Sequence, residues 1–182
     1  MILKKINIDY DINIFLNADY SQHYGSCISY QKHEQADIHE NISKGFPKSY
    51  HEENTVIQQL WYDNSQIDYT ELGDQLGMEV ITVSSILQPP GNVITVHRDT
   101  FFQINKMYPD DTRTKVRANI YLEDWKVGHI IQYKDIDKEW KNSTHWSASE
   151  GFLWDSDILH VSGNIGLEPK FTLQISGFLL DK

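Results

Sequence analysis

From Gly77 onward the chain alternates. Val80 to Leu87, Val93 to Asp99, Lys115 to Leu122, Gly128 to Tyr133, Phe152 to Ser162 and Lys170 to Leu180 are short runs rich in β-branched and aromatic residues. Apolar and polar positions trade places along them, the period of a strand. Turn residues separate the runs. Pro89-Pro90-Gly91-Asn92 is the clearest, with proline and glycine suited to a type II turn. Short strands at this spacing predict an antiparallel sandwich or barrel.

Residues before Gly77 read differently. Leu3 to Phe15 alternates and predicts an edge strand or two. Residues 23–50 are polar and irregular, with helical turns from Glu34 to Ser43 that end before Pro47. Val56, Ile57, Leu60 and Trp61 recur at helical spacing, so Glu52 to Trp61 reads as an amphipathic helix. Asp68 caps a shorter helix through Leu76, with Tyr69, Leu72 and Leu76 inward and Gly77 ending it. At 182 residues the chain suits one domain, a mixed helical region over 1–77 packed outside a β core over 78–182.

Composition narrows the class. Hydrophobic residues are 40% and charged residues 23%, as in a folded soluble chain. No apolar run is long enough to span a bilayer, and the first ten residues lack the apolar core and cleavage site of a signal peptide. Cys27 stands alone, which excludes an internal disulfide and a multi-thiolate metal site, and fits a cytoplasmic protein. The net charge of -10 opposes binding to phosphate backbones, so no nucleic-acid partner is expected. The basic block Lys106 to Arg117 is interrupted by Asp110 and Asp111 and reads as a solvated loop.

The chemistry centres on Ile94 to Asp99, I-T-V-H-R-D. On a strand His97 and Asp99 point one way and Arg98 the other. The same three letters open a protein-kinase catalytic loop, but that motif needs an asparagine at position 104, where Ile104 stands. His160 arrives at the end of a later apparent strand. Two imidazoles and one carboxylate on a shared face make the facial triad that holds non-haem Fe(II) with open coordination positions. Taken singly, each feature also fits a plainer reading: H-x-D as a hydrogen-bonded pair on a half-buried strand, His160 as a satisfied core histidine. The other histidines, His23, His33, His39, His51, His129 and His145, are not expected to ligate: most lie in polar or loop-like stretches without a partner at ligand spacing, while His129 shares a strand face with Ile131 and Tyr133.

Two further strands carry polar faces. Lys170, Thr172, Gln174 and Ser176 share one side of the last strand, opposite Phe171, Leu173 and Ile175. Arg117, Asn119 and Tyr121 share one side of Lys115 to Leu122, opposite Val116, Ala118 and Ile120. Each polar side lines a cavity if it turns inward and is ordinary surface if it turns outward.

With these residues in view, Val80 to Leu180 resembles the 2-oxoglutarate- and Fe(II)-dependent oxygenases. Their motif is H-x-D, a long gap, a distal histidine, then arginine or lysine about ten residues on. Here it runs His97-x-Asp99, His160, Lys170. The run W-D-S-D-I-L-H-V-S-G-N-I-G-L-E-P-K-F-T-L-Q-I-S-G-F is similar to small bacterial and phage-type members related to amino-acid and aspartyl/asparaginyl hydroxylases. The resemblance implies a double-stranded β-helix, a cupin-like jelly roll. It implies Fe(II) on His97, Asp99 and His160, and 2-oxoglutarate on Lys170 and Thr172, with O₂ as oxidant. Arg117, Asn119 and Tyr121 are pocket candidates by face. The implied reaction is hydroxylation of an unactivated C–H in an amino acid, peptide side chain or similar small polar molecule, with release of succinate and CO₂. The alternative is a non-catalytic cupin-like binding module, and a third reading is a different metal enzyme on the same barrel. Glu150-Gly151 stands where the family usually has Gly-Asp, and lysine where arginine is commoner.

Overall fold

The computed structural model describes residues 1–22, 24–26 and 56–180. In chain order these form β1 (Leu3–Asn7), α1 (Asn13–Leu16), a 3-10 turn (Tyr20–Gln22), β2 (Tyr24–Ser26), β3 (Val56–Tyr62), α2 (Tyr69–Leu76), β4 (Met78–Gln88) and β5 (Asn92–His97). Then follow α3 (Phe102–Met107), β6 (Lys115–Tyr121), β7 (His129–Lys134), β8 (Trp140–Ser143), β9 (Glu150–Asp155), β10 (His160–Asn164) and β11 (Lys170–Leu179). The strands build a large sheet in the order β1-β9-β6-β11-β4-β3-β2 and a small one in the order β5-β10-β7-β8. Neighbours in both pair antiparallel. Two antiparallel sheets with a cavity between them fit the sandwich or barrel expected from the alternation and the double-stranded β-helix that the resemblance implied.

The large sheet is apolar on its outer face. Val116, Ala118, Ile120, Leu153, Leu173, Ile175 and Val83 form one buried cluster with Phe15 of α1 and Leu72 and Leu76 of α2. Burying each leucine stabilises the fold by about 1.5–3 kcal/mol. α2 begins as the sequence predicts: the Asp68 carboxylate accepts from the backbone N–H of Thr70 and Glu71 at 2.9 and 3.0 Å. It ends at Gly77, whose φ of 68° is the left-handed region that glycine enters without strain. The Pro89-Pro90 turn also forms, with Gly91 at φ 79°.

Several expectations fail for physical reasons. Val56–Tyr62 is a strand, not part of a helix. Its apolar residues also suit a pleated surface, and pairing with β4 outweighs the short helical spacing. Residues 52–55 and the helical turns expected over Glu34 to Ser43 lie outside the described residues. The N-terminal region is therefore mixed, adding three strands to the large sheet. Asn13–Leu16 is a helical turn rather than strand. Phe152 to Ser162 is two strands in different sheets, broken where Asp155 accepts from the backbone N–H of Asp157 at 3.0 Å. The loop after Asp99 contains α3, and Trp140–Ser143 adds a strand that its polar composition hid.

Gly151 sets how closely β9 approaches β6. A Cβ there would lie 2.1 Å from the carbonyl oxygen of Asn119 and 2.8 Å from Ile120 Cα. Gly151→Ala is expected to push the strands apart and to destabilise the protein by about 1–3 kcal/mol, the usual cost of overpacking. Urea denaturation measures it, and an unchanged midpoint would mean that the strands can separate freely.

Candidate metal centre

β5 and β10 pair so that His97 and His160 face each other across the ladder. Their rings sit 4.2 Å apart between centroids. The register slips by one residue between His160 and Ser162, a bulge beside His97 of the kind that re-aims a side chain. Asp99 does not lie on the strand, as the alternation predicted, because β5 ends at His97. Its carboxylate crosses to the large sheet instead. Arg117 NH1 donates to Oδ1, and Trp154 Nε1 donates to Oδ2 at 2.8 Å.

The three side chains still converge. One ligand atom from each of His97, Asp99 and His160 lies within 4.8 Å of the others, the only such group among the described residues. His97 Nδ1 lies 2.7 Å from the carbonyl oxygen of Thr95, and His160 Nδ1 lies 3.0 Å from that of Ile158. A carbonyl can only accept, so Nδ1 carries the proton in both rings. Each Nε2 is then left with a free lone pair, the arrangement found where histidine ligates a metal.

Electrostatics keep the ligands in their binding forms. Burial would raise the Asp99 pKa, but Arg117, His160, His97 and the Trp154 hydrogen bond outweigh it and hold it at about 2. Burial and the neighbouring His97 push His160 down to about 3, so its ring is neutral at pH 7. Arg117 is then the cation that compensates Asp99 at neutral pH. The donor set is two imidazoles and one carboxylate, which fits a divalent transition metal with positions left open.

A cavity of about 130 Å³ adjoins the triad, walled by both sheets. Thr172, Gln174, Asn119, Tyr121 and Arg117 line it, so the polar faces of β6 and β11 turn inward. Asn119 Oδ1 accepts from Gln174 Nε2 at 2.9 Å, while Asn119 Nδ2 is buried with no hydrogen-bond partner among the described residues. Tyr121 stacks on Trp146 at 4.0 Å and donates to Ser143 Oγ at 3.1 Å. Arg117 is committed: besides Asp99, its Nε donates to Ser176 Oγ at 2.9 Å.

Lys170 sits behind the wall rather than in it. It is 2% exposed and does not line the cavity. Its ammonium donates to Ser162 Oγ, to the carbonyl oxygen of Ile130 at 3.0 Å and to Gln88 Oε1 at 3.4 Å. Ser162 and Gln88 do line the cavity. Burial lowers the Lys170 pKa to about 7. Trp154, Ser162 and Gln88 escaped the sequence reading. Ser162 was legible, lying two residues after His160 on the same strand, whereas Trp154 and Gln88 come from strands with no metal ligand.

No protein-family model matches the chain, and no curated protein sequence matches it. Its backbone does match solved structures. One is a prolyl-4-hydroxylase from Pseudomonas putida, aligned over 99% of this chain and 93% of that one at TM-score 0.56 and 17% identity. Another is the non-haem α-ketoglutarate-dependent epimerase SnoN of nogalamycin biosynthesis, aligned over 96% and 76% at TM-score 0.57 and 10% identity. The chain shares the fold of these two proteins. On that fold His97, Asp99 and His160 line the cavity between the two sheets. No helix among the described residues is long and apolar enough to cross a membrane.

The arrangement predicts one divalent ion per chain. Co(II) titrated into the metal-free protein should bind stoichiometrically, with His160→Ala losing most of the affinity. His129→Ala should keep it, because His129 Nε2 lies 3.2 Å from the carbonyl oxygen of Glu168 and far from the triad in the ladder. Tight binding in His160→Ala would rule out the triad.

Proposed function

We propose that the protein is a 2-oxoglutarate- and Fe(II)-dependent dioxygenase that hydroxylates a C–H bond of a small polar molecule, an amino acid or a peptide side chain. The observation that carries the reading is the convergence of His97 Nε2, His160 Nε2 and the Asp99 carboxylate at the edge of a polar cavity on this fold. Those three residues would hold the iron, which with 2-oxoglutarate and O₂ supplies the oxidising power for C–H hydroxylation. The chain's own residues orient and shield the reactants.

Asn119 supports the 2-oxoglutarate assignment. A buried amide N–H without a partner costs about 1–3 kcal/mol, and a carboxylate oxygen arriving in the cavity would satisfy it. Thr172 and Tyr121 add hydroxyls on the same side. Lys170 has no carboxylate among its hydrogen-bond partners, only neutral oxygens. The distal carboxylate of 2-oxoglutarate would complete it, reaching the ammonium past Ser162, whose hydroxyl can turn to donate to the same carboxylate. A module that bound no carboxylate would leave both the orphan donor and the buried cation without a partner, so turnover is what separates the dioxygenase from a cupin-like binding module. The substrate enters beside Trp61 and Phe102, two cavity residues that are 47% and 39% exposed.

The direct test is succinate formation from 2-oxoglutarate under Fe(II), ascorbate and O₂, screened across amino acids and short peptides. Stimulation by one of them, lost in Asp99→Ala, is the expected result. No succinate with any compound and no 2-oxoglutarate binding would point to the binding-module alternative.

Lys170 gives a sharper prediction. A charge-assisted hydrogen bond contributes roughly 1.5–3 kcal/mol, so Lys170→Met should weaken 2-oxoglutarate binding about 10- to 150-fold while metal binding survives. The pH dependence follows from the depressed pKa. The folded protein releases the Lys170 proton near pH 7, whereas the unfolded chain keeps it to about 10.5. The unfolded state therefore binds more protons across that window, and the stability of the ligand-free protein rises with pH through it. 2-Oxoglutarate binding, which needs the cation, weakens over the same window. Melting temperatures and anaerobic titrations of wild type against Lys170→Met check both. Parallel pH profiles in the two proteins would remove Lys170 from the site.

A further inference from the structure

We propose that Arg117 and Trp154 are positioning residues that clamp Asp99 so that it gives a metal only one oxygen. The proposal rests on the metal reading above. Arg117 and Trp154 stand directly opposite each other on β6 and β9. Each sends one donor to a different oxygen of Asp99, Arg117 to Oδ1 and Trp154 to Oδ2. Both donors are themselves fixed. Trp154 is 2% exposed, and its ring packs 4.5 Å from His160, at 40° to it. Arg117 is tied to Ser176 and lies 5.5 Å over the ring of Phe101. Asp99, off the end of β5, has no strand to orient it, so the clamp does.

The chemistry of the two donors differs, and so do their effects. Oδ2 is the oxygen nearer the second imidazole, 3.9 Å from His160 Nε2. It has a second lone pair, so it can accept from Trp154 and bind a metal together. Oδ1 is held by a full positive charge, which keeps it from swinging onto the ion as a second metal bond. Carboxylates bind ions in either mode, and the choice changes how many positions remain. A single Asp99 bond leaves room for a chelating co-substrate and one further ligand. Binding through both Asp99 oxygens would take the last of these. Arg117 therefore acts on the open position through Asp99 rather than as a free cation of the pocket, the candidacy its strand face gave it.

Mn(II) is the probe, added to the metal-free protein. Its affinity is read from the free-ion paramagnetic signal, and its exchangeable waters are counted by spin-echo in D₂O. Trp154→Phe keeps the ring and loses the donor, so affinity should fall about 10- to 100-fold, the usual effect of removing a partner that orients a ligand. Arg117→Met should do the opposite: the freed oxygen adds a bond and a repelling charge leaves, so Mn(II) binds at least as tightly and carries one water fewer. Arg117→Lys, which restores a cationic donor, should regain that water. A residue that only supported the fold would weaken binding in both variants and leave the count alone. An unchanged count in Arg117→Met, or unchanged affinity in Trp154→Phe, overturns the clamp while wild-type binding lost in His160→Ala upholds the metal reading. Mn(II) binding that ignores His160→Ala overturns both.

Discussion

The structure depends on a large sheet that buries its apolar face outward. Val116, Ala118, Ile120, Leu173 and Ile175 pack under α1 and α2, so the main hydrophobic core lies on the far side of the sheet from the cavity. The opposite face is then free to be polar. Strand alternation does the rest: with every second residue committed to the outer core, Arg117, Asn119, Tyr121, Thr172, Gln174 and Ser176 must face the small sheet. A one-residue slip in β6 or β11 would exchange the two sets and destroy core and site together.

A polar interior needs its charges accounted for. Asp99 and Arg117 neutralise each other, and Trp154 adds a hydrogen bond to the buried carboxylate. His160 avoids the problem by staying neutral. Lys170 is different. It is fully buried, its hydrogen bonds go to neutral oxygens, and desolvation alone draws its pKa toward neutrality. Such a group is held at a cost to the folded state, which is characteristic of residues kept for binding rather than stability.

The sequence made this much legible because the signals were local. Period-two alternation located β4, β6, β7 and β11 to within a residue or two, and the Asp68 cap and Gly77 stop bounded α2. The triad and both polar strand faces were visible as residue types at fixed spacing. What was hidden is what tertiary contact decides. Val56–Tyr62 carries a pattern compatible with either element, and only its partner β4 makes it a strand. Phe152 to Ser162 alternates almost without a break, and only the Asp155 turn shows that it changes sheets. Trp154 could not be linked to Asp99 from sequence, since 55 residues separate them. Arg117 faces the cavity, one of the two directions its strand face allowed, but its partner was not predictable from alternation.

Two polar braces set the distance between the sheets where the cavity lies. At one end Asp99, from the small sheet's loop, is held by Arg117 and Trp154 of the large one. At the other, Gln88 and Lys170 of the large sheet are bonded to Ser162, Ile130 and Asn164 of the small one, with Ser162 Oγ to Gln88 Oε1 at 2.8 Å and Asn164 Nδ2 to the Gln88 carbonyl oxygen at 2.9 Å. Hydrogen bonds fix direction as well as separation, which apolar contact does not. His160 and Ser162 stand two residues apart on β10, between the braces. The triad and the Ser162 contact of Lys170 are thus anchored on one short strand, and any shift of β10 moves both together. That shared anchor keeps the distance from the triad to Lys170 constant, as the proposed reaction, with one end of its co-substrate at the triad and the other at Lys170, would require.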